Sequence, residues 1–210
     1  MKPLLLLMLL LAGCGSKSDA PKKALVGAKL VDGTTSVIVI ENGVFTAVGP
    51  SASVPDGFET INMSGKFIVP GLVDAHVASN ADLPPFLRAG ITSVGAEMNA
   101  VPNGPHVFPS LGKQPGIADL VVASYGSNPA ATLAKIERMA KAEIAPLQII
   151  QAATENGAAW LQQSNLGAIK PGQRADLLVL NADPLVDIKN LRQIYRVMLD
   201  GHWVETGNVK

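Results

Sequence analysis

The stretch PGLVDAHVA at residues 70–78 is the part of the sequence that decides the fold. We interpret it as a β-strand, in which alternate side chains point to the same face. Asp74, His76 and Ala78 would then share one face. Two imidazoles at this spacing bind one cation together, but here the third position carries a methyl group. The stretch therefore predicts a strand that presents one carboxylate and one imidazole.

The residues before this strand alternate short β-rich runs with turn signals. Asn42-Gly43 predicts a two-residue type I′ hairpin turn, because this turn needs a positive φ at both positions. The predicted strands are Leu25–Val31, Val37–Glu41, Val44–Val48, Phe58–Asn62 and Phe67–Val69.

A second distinctive stretch, GAIKPGQRADLLVL at residues 167–180, precedes two predicted hairpin strands at 194–199 and 203–205. With residues 70–78 it resembles the metal-dependent amidohydrolase superfamily, of the imidazolonepropionase and dihydroorotase type. In that family the first strand carries P-G-L-[IV]-D-x-H-x-H, and Ala78 stands where the second His is expected. The resemblance implies metal-dependent hydrolysis of C–N bonds other than peptide bonds.

The segment between these stretches has α/β character. Residues 83–88 and 90–94 resemble the family's first helix and second strand, and residues 117–127 resemble its last barrel strand. Asn128-Pro129 predicts the start of a helix that runs to about Ala142. A further helix is predicted from Pro146, with a buried stripe formed by Leu147, Ile150, Thr154, Ala158 and Leu161.

The length of this middle segment limits the architecture. A complete (β/α)₈ barrel takes about 250 residues, whereas the 80 residues from Val77 to Gly157 hold two or three repeats of about 30 residues. We therefore expect an α/β fold with additional β-structure. Residues 24–69 and 166–205 would form a small composite β-sandwich, and residues 70–165 would form a truncated (β/α) barrel remnant.

The supply of metal ligands is small, because the sequence holds only three histidines. His202 lies in a predicted turn after Asp200-Gly201, where a solvated role is expected. His106 lies in a Pro/Gly-rich run that predicts a surface loop. His76 is expected to be a vestigial metal ligand held by a hydrogen bond.

The resemblance also implies two further His, a carboxylated Lys and a general-base Asp on later barrel strands. Lys113 has no strand around it, and Asp119 opens its strand, whereas catalytic groups collect at carboxyl ends. Asp176 matches a family position in the sandwich, which implies a structural role. No catalytic residue is therefore assigned.

Three interpretations follow. The first is a catalytically inactive family member for which no cofactor is expected. The second is a working mononuclear hydrolase of a cyclic amide or related C–N bond. It would hold zinc with His76, His106 and a carboxylate from Asp74, Asp82 or Glu97. The third is an internally deleted copy of a larger enzyme, which would fold poorly.

Charge and the N-terminal segment indicate partners and location. With 17 basic and 17 acidic residues and no basic cluster, a nucleic-acid partner is not expected. Residues 1–13 resemble a lipoprotein signal peptide, and residues 14–23 resemble a tether. Lipidated Cys14 would anchor the protein to a membrane of the bacterial envelope, with the outer membrane favoured, facing the periplasm. An open barrel side also predicts a homodimer.

Overall fold

The computed structural model describes residues 21–96, 104–109 and 122–205. These residues form a mixed α/β fold, which confirms the predicted class. The strands are β1 Lys23–Leu30, β2 Thr35–Glu41, β3 Val44–Gly49, β4 Glu59–Asn62, β5 Phe67–Pro70, β6 Leu72–Asp74, β7 Ile91–Gly95, β8 His106–Phe108, β9 Leu177–Leu180, β10 Ile194–Leu199 and β11 His202–Trp203. The helices are α1 Pro84–Arg88, α2 Pro129–Lys141, α3 Pro146–Ala152, α4 Glu155–Trp160 and a 3-10 helix Ile188–Arg192.

The larger sheet joins strands from both ends of the described chain. Its order is β11-β10-β9-β5-β1-β2-β3, and β4 also pairs with β1. β5 runs antiparallel to β9, with Ile68 opposite Val179, and both side chains are fully buried. This pairing places N-terminal and C-terminal residues in one sheet. The two-layered sandwich expected from the sequence stays a prediction.

Two hairpins of this sheet follow from local turn chemistry. Asn42 and Gly43 have φ values of 54° and 76°, as a type I′ turn requires, and they join β2 to β3. Asp200 and Gly201 have φ values of 49° and 74° and join β10 to β11 in the same way. The second turn places the Asp200 side chain near the start of β9, beside Asp176.

The smaller sheet is parallel and has the order β6-β7-β8. Residues 122–126 run along the other side of β6. The Ala75 N–H donates to the Val122 carbonyl at 2.7 Å, and the Tyr125 N–H donates to the His76 carbonyl at 2.9 Å. The segment predicted as the last barrel strand therefore lies beside β6, although its residues 117–121 are outside the described part of the chain.

The helices confirm one prediction and correct another. Asn128 caps α2, because its side chain accepts a hydrogen bond from the Ala130 N–H at 3.1 Å. The single helix expected from Pro146 to Leu161 is instead two helices, α3 and α4. The break follows from tertiary hydrogen bonds: the Ala152 carbonyl accepts from the Val122 N–H, and the Ala153 carbonyl accepts from the Val73 N–H.

The predicted buried stripe of this segment is also partly wrong. Leu147 is 42% exposed, whereas its neighbour Ile149 is fully buried in the core between the helices and the sheets. Four residues named in the sequence predictions, Cys14, Glu97, Lys113 and Asp119, lie outside the described residues. Among the described helices, none has the length and apolar character needed to cross a bilayer.

Candidate functional site

The carboxyl end of β6 is where the family resemblance places the first metal ligands. Asp74, the last residue of this strand, is fully buried. Its Oδ1 accepts hydrogen bonds from the His76 N–H at 3.2 Å and the Ser124 N–H at 3.0 Å, and its Oδ2 accepts one from the Thr132 hydroxyl at 2.6 Å. Burial raises the pKa of Asp74, and the donated hydrogen bonds oppose this rise. Asp74 thus connects β6, the segment beside it and α2.

His76 follows the strand and is half-buried. Its ring lies against Tyr125, with the ring centroids 4.4 Å apart and the planes inclined by 36°. Ala78, two residues further along the chain, offers no donor atom for a metal.

The donor set at this carboxyl end decides whether it fits the metal that the family resemblance implies. Both oxygens of Asp74 are already engaged by three donors, and Ala78 contributes a methyl group. Within residues 21–96, 104–109 and 122–205, the only group of three or more His, Cys, Asp or Glu side chains close enough to share an ion lies elsewhere. Among the described residues, the carboxyl end therefore offers fewer donors than the three protein ligands that a catalytic metal takes.

That other group lies at the amino end of the parallel sheet. We name it the amino-end cluster, and it consists of His106, Asp176 and Asp200. His106 is the first residue of β8, Asp176 immediately precedes β9, and Asp200 lies in the turn between β10 and β11. His106 Nε2 is 3.4 Å from Asp176 Oδ2 and 3.5 Å from Asp200 Oδ2.

Arg174 borders the amino-end cluster. Its Nε is 3.2 Å from Asp200 Oδ1, and one terminal nitrogen is 3.7 Å from Asp176 Oδ2. Asp176 Oδ1 accepts a hydrogen bond from the Asp200 N–H at 2.8 Å. In contrast, Asp176 Oδ2, His106 Nε2 and the Arg174 nitrogens that face the carboxylates are buried and make no hydrogen bond, although they lie in ion-pair contact with one another. The cluster therefore holds buried polar atoms that the protein leaves unsatisfied.

Burial shifts both titratable groups of this pair away from their charged forms. It raises the pKa of Asp176 to about 6 and lowers the pKa of His106 to about 4. The Arg174 charge adds to the lowering at His106, and the Asp200 charge opposes it. Near pH 5, metal-free folded protein would hold Asp176 as a neutral acid and His106 as a neutral imidazole.

The structure separates residues that the second interpretation of the sequence grouped together. His106 is in a strand with its ring 21% exposed, so the predicted surface loop is wrong at this position. It lies at the amino end of the parallel sheet, whereas His76 lies at the carboxyl end. Asp82 is exposed, and so is His202, as expected for a turn residue.

Sequence reasoning gave Asp176 a structural role and missed its contact with His106. The sequence carries little signal for this contact, because 70 residues separate the two side chains. The Asp-Gly turn signal at Asp200 does predict the hairpin that brings this carboxylate close. It does not predict which strand edge the hairpin faces.

Comparisons with known sequences support the resemblance. The amidohydrolase family model matches residues 116–204. The chain is 29% identical over 118 residues to a dihydroorotase of Trichlorobacter lovleyi, covering 50% of this chain and 26% of that protein. It is 36% identical over 56 residues to a dihydroorotase of Geobacter metallireducens, covering 24% and 13%. The chain thus spans about a quarter or less of the length of these curated relatives.

Comparisons with solved structures concern the fold alone, because the identities are low. A. niger ochratoxinase matches with a TM-score of 0.71 at 12% identity, covering 88% of this chain and 95% of that chain. Phenylurea hydrolase B matches with a TM-score of 0.68 at 14% identity, covering 88% and 97%. The family model and the sequence matches support the resemblance to the amidohydrolase superfamily over part of the chain, and the solved structures show a similar fold.

Proposed function

We propose that this protein is a lipid-anchored member of the amidohydrolase superfamily that does not catalyse the family's metal-dependent hydrolysis. The observation that carries the proposal is Ala78, a methyl group where the resemblance implies the second metal-binding imidazole. Asp74 does not replace it as a free donor, because its two oxygens accept three hydrogen bonds from two backbone N–H groups and a buried hydroxyl.

The neighbouring positions support the same conclusion. Catalytic zinc takes three protein ligands and keeps one position for the water that it activates. At the carboxyl end of β6, His76 is the one imidazole in the described residues, and Ala78 replaces the second. A single imidazole beside an already engaged carboxylate is a weak cation site.

The runner-up function is a mononuclear hydrolase of a cyclic amide, a substrate class suggested by the dihydroorotase relatives. An assay of the full chain with added zinc separates the two functions. We expect cyclic-amide turnover no higher than that of His76→Ala, with exposed His202→Ala as the matched control. Zinc-dependent turnover that disappears only in His76→Ala would establish the hydrolase instead.

The proposed anchor rests on the sequence around Cys14. Fatty-acid labelling of cells that produce the full chain tests it, with Cys14→Ser as the control. We expect label in the unaltered chain and none in the variant. Equal labelling of the unaltered chain and the variant would contradict lipidation at Cys14.

We also propose the division into a composite sheet domain, 24–69 with 166–205, and a barrel remnant, 70–165. In the described part of the chain, β8 ends the parallel sheet and leaves an edge that a second copy could cover. Sedimentation of the full chain at micromolar concentration tests the resulting homodimer. A monomer would contradict it.

A further inference from the structure

We propose that the amino-end cluster is a divalent-cation site, with zinc as the favoured ion, that is separate from the family's metal centre. Its donors are one imidazole nitrogen and two carboxylate oxygens, from His106, Asp176 and Asp200. It would connect the edge strand β8 to the larger sheet. The inference does not depend on whether the carboxyl end of the parallel sheet is active.

The distances between the donor atoms suit a small tetrahedral ion. Ligand atoms about 2.0–2.1 Å from a tetrahedral zinc ion lie about 3.3–3.4 Å from one another. In the protein, His106 Nε2 lies 3.4 Å from Asp176 Oδ2 and 3.5 Å from Asp200 Oδ2, and one ligand atom of each residue lies within 4.8 Å of the others. The two distances from His106 therefore already match those of a tetrahedral ion.

The hydrogen-bonding state of these atoms is an independent indication of a ligand. Asp176 is 4% exposed, and its Oδ2 has no hydrogen-bond partner, although its Oδ1 is satisfied by the Asp200 N–H. His106 Nε2 is also buried without a hydrogen-bond partner. Buried polar atoms without partners are rare in folded proteins and costly. A cation would satisfy both atoms at once.

Arg174 must be compatible with a bound cation. Its Nε lies 3.2 Å from Asp200 Oδ1, which is the oxygen that does not face His106. A terminal nitrogen lies 3.7 Å from Asp176 Oδ2, so this end of the guanidinium would have to move away from that oxygen when a cation binds. In known metal sites, groups outside the ligand set commonly hold the second oxygen of a ligating carboxylate. Two carboxylates against one guanidinium also leave the cluster with an excess negative charge when both are ionised.

Three protein donors leave further coordination positions on the ion, and the exposure of the cluster indicates which ligand fills them. The Asp200 side chain is 50% exposed, so this side of the cluster is open to solvent. Water would therefore complete the coordination. An imidazole with two carboxylates suits zinc, and it also suits cobalt(II), which serves as a spectroscopic substitute.

Metal titration of the full chain tests the site, after treatment with a chelator. Zinc alone is titrated in competition with a chromophoric chelator, and cobalt(II) alone is followed by its visible absorption. We expect one zinc per chain and the intense bands of four-coordinate cobalt. His106→Ala should lower the zinc affinity at least about 100-fold, because it removes a ligand and not merely an outer partner.

Asp200→Asn guards against a folding artefact, because it changes a half-exposed turn residue. It should weaken zinc binding while the circular dichroism and thermal unfolding stay those of the unaltered chain. The two remaining histidines provide matched controls, and both His76→Ala and His202→Ala should retain the zinc.

Each other outcome overturns the inference. Zinc lost in His76→Ala but retained in His106→Ala would place the ion at the carboxyl end of β6, and would also count against the incomplete centre proposed there. Zinc retained in both His106→Ala and Asp200→Asn would indicate a surface ion elsewhere. Failure to bind zinc at micromolar concentration would exclude the site, while leaving the proposed inactive family centre unaffected.

Discussion

The two ends of the parallel sheet carry the same types of side chain in different surroundings. At the carboxyl end, buried Asp74 accepts three hydrogen bonds, and the half-buried ring of His76 lies against Tyr125. At the amino end, buried Asp176 and half-buried His106 face each other through buried atoms that make no hydrogen bond. Hydrogen-bond donors supplied by neighbouring elements therefore decide whether an Asp–His pair is structural or available for a ligand.

The largest expected effect comes from Asp74→Ala. The change leaves two N–H groups and the Thr132 hydroxyl without their acceptor, and each buried unsatisfied group costs about 1–3 kcal/mol. We expect the free energy of unfolding to fall by about 4 kcal/mol, measured by urea denaturation. Exposed Asp82→Ala is the control and should change little. A loss of less than about 1 kcal/mol would show that Asp74 is not an anchor.

Gly95→Ala should have the next largest effect. A Cβ at this position would overlap the Ala75 carbonyl oxygen and lie 2.7 Å from Leu161 Cδ2. Because backbone atoms cannot move aside as side chains do, we expect a loss of about 2–3 kcal/mol in stability. Thermal unfolding measures it. Unchanged stability would mean that the carboxyl end of the parallel sheet can accommodate the extra methyl group, contrary to these close distances.

The pH dependence of stability tests the unusual surroundings of Asp176 and His106 at the amino end. A chelator is present in these measurements to keep the protein free of metal. Burial raises the folded-state pKa of Asp176 to about 6 in the unaltered chain, above its ordinary value of 3.8, and we expect this pKa to stay raised in His106→Ala. The folded state then binds more protons than the unfolded state, so stability should fall as the pH rises from about 4 to 6. Burial and the Arg174 charge lower the folded-state pKa of His106 to about 4 in the unaltered chain, and we expect it to stay below 6.5 in Asp176→Asn, so stability should be lost as the pH falls through this window.

These two slopes have opposite signs, and each should amount to about 2 kcal/mol across the window. In the unaltered chain the two slopes should largely cancel. Between about pH 4 and 6 the folded pair carries one proton, on Asp176, and the unfolded chain also carries one, on the imidazole of His106. Urea denaturation near pH 4.5 and near pH 6 measures all three proteins. Equal slopes in both variants would contradict the assigned pKa shifts.

The smallest expected effect is that of His76→Ala. The change removes the ring contact with Tyr125, and Tyr125 is itself 70% exposed. We expect a loss of about 0.5–1 kcal/mol, and Tyr125→Leu should give a loss of similar size. Urea denaturation distinguishes this from a loss of several kcal/mol, which would make His76 as structural as Asp74.

Local sequence signals predicted much of the fold. The Asn42-Gly43 hairpin and the Asn128 cap of α2 depend on backbone preferences of a few adjacent residues, and both are found in the structure. The division between α3 and α4 was missed, because the carbonyls of Ala152 and Ala153 accept hydrogen bonds from distant residues 122 and 73. The hydrophobic periodicity of residues 146–161 carries no information about such distant hydrogen-bond partners.

For the two candidate sites, too, some features follow from the sequence and others only from the tertiary structure. The sequence by itself determined the family resemblance and the Asp-x-His-x-Ala pattern, in which the second imidazole is missing, because these depend only on residue identity and spacing. The tertiary structure alone decided that Asp74 is enclosed by donors and that His106 meets Asp176 and Asp200. Apart from the local His76 N–H, those contacts join residues 50 to 94 positions apart in the sequence. Their geometry is set by how the two sheets pack, and a linear pattern does not encode that packing.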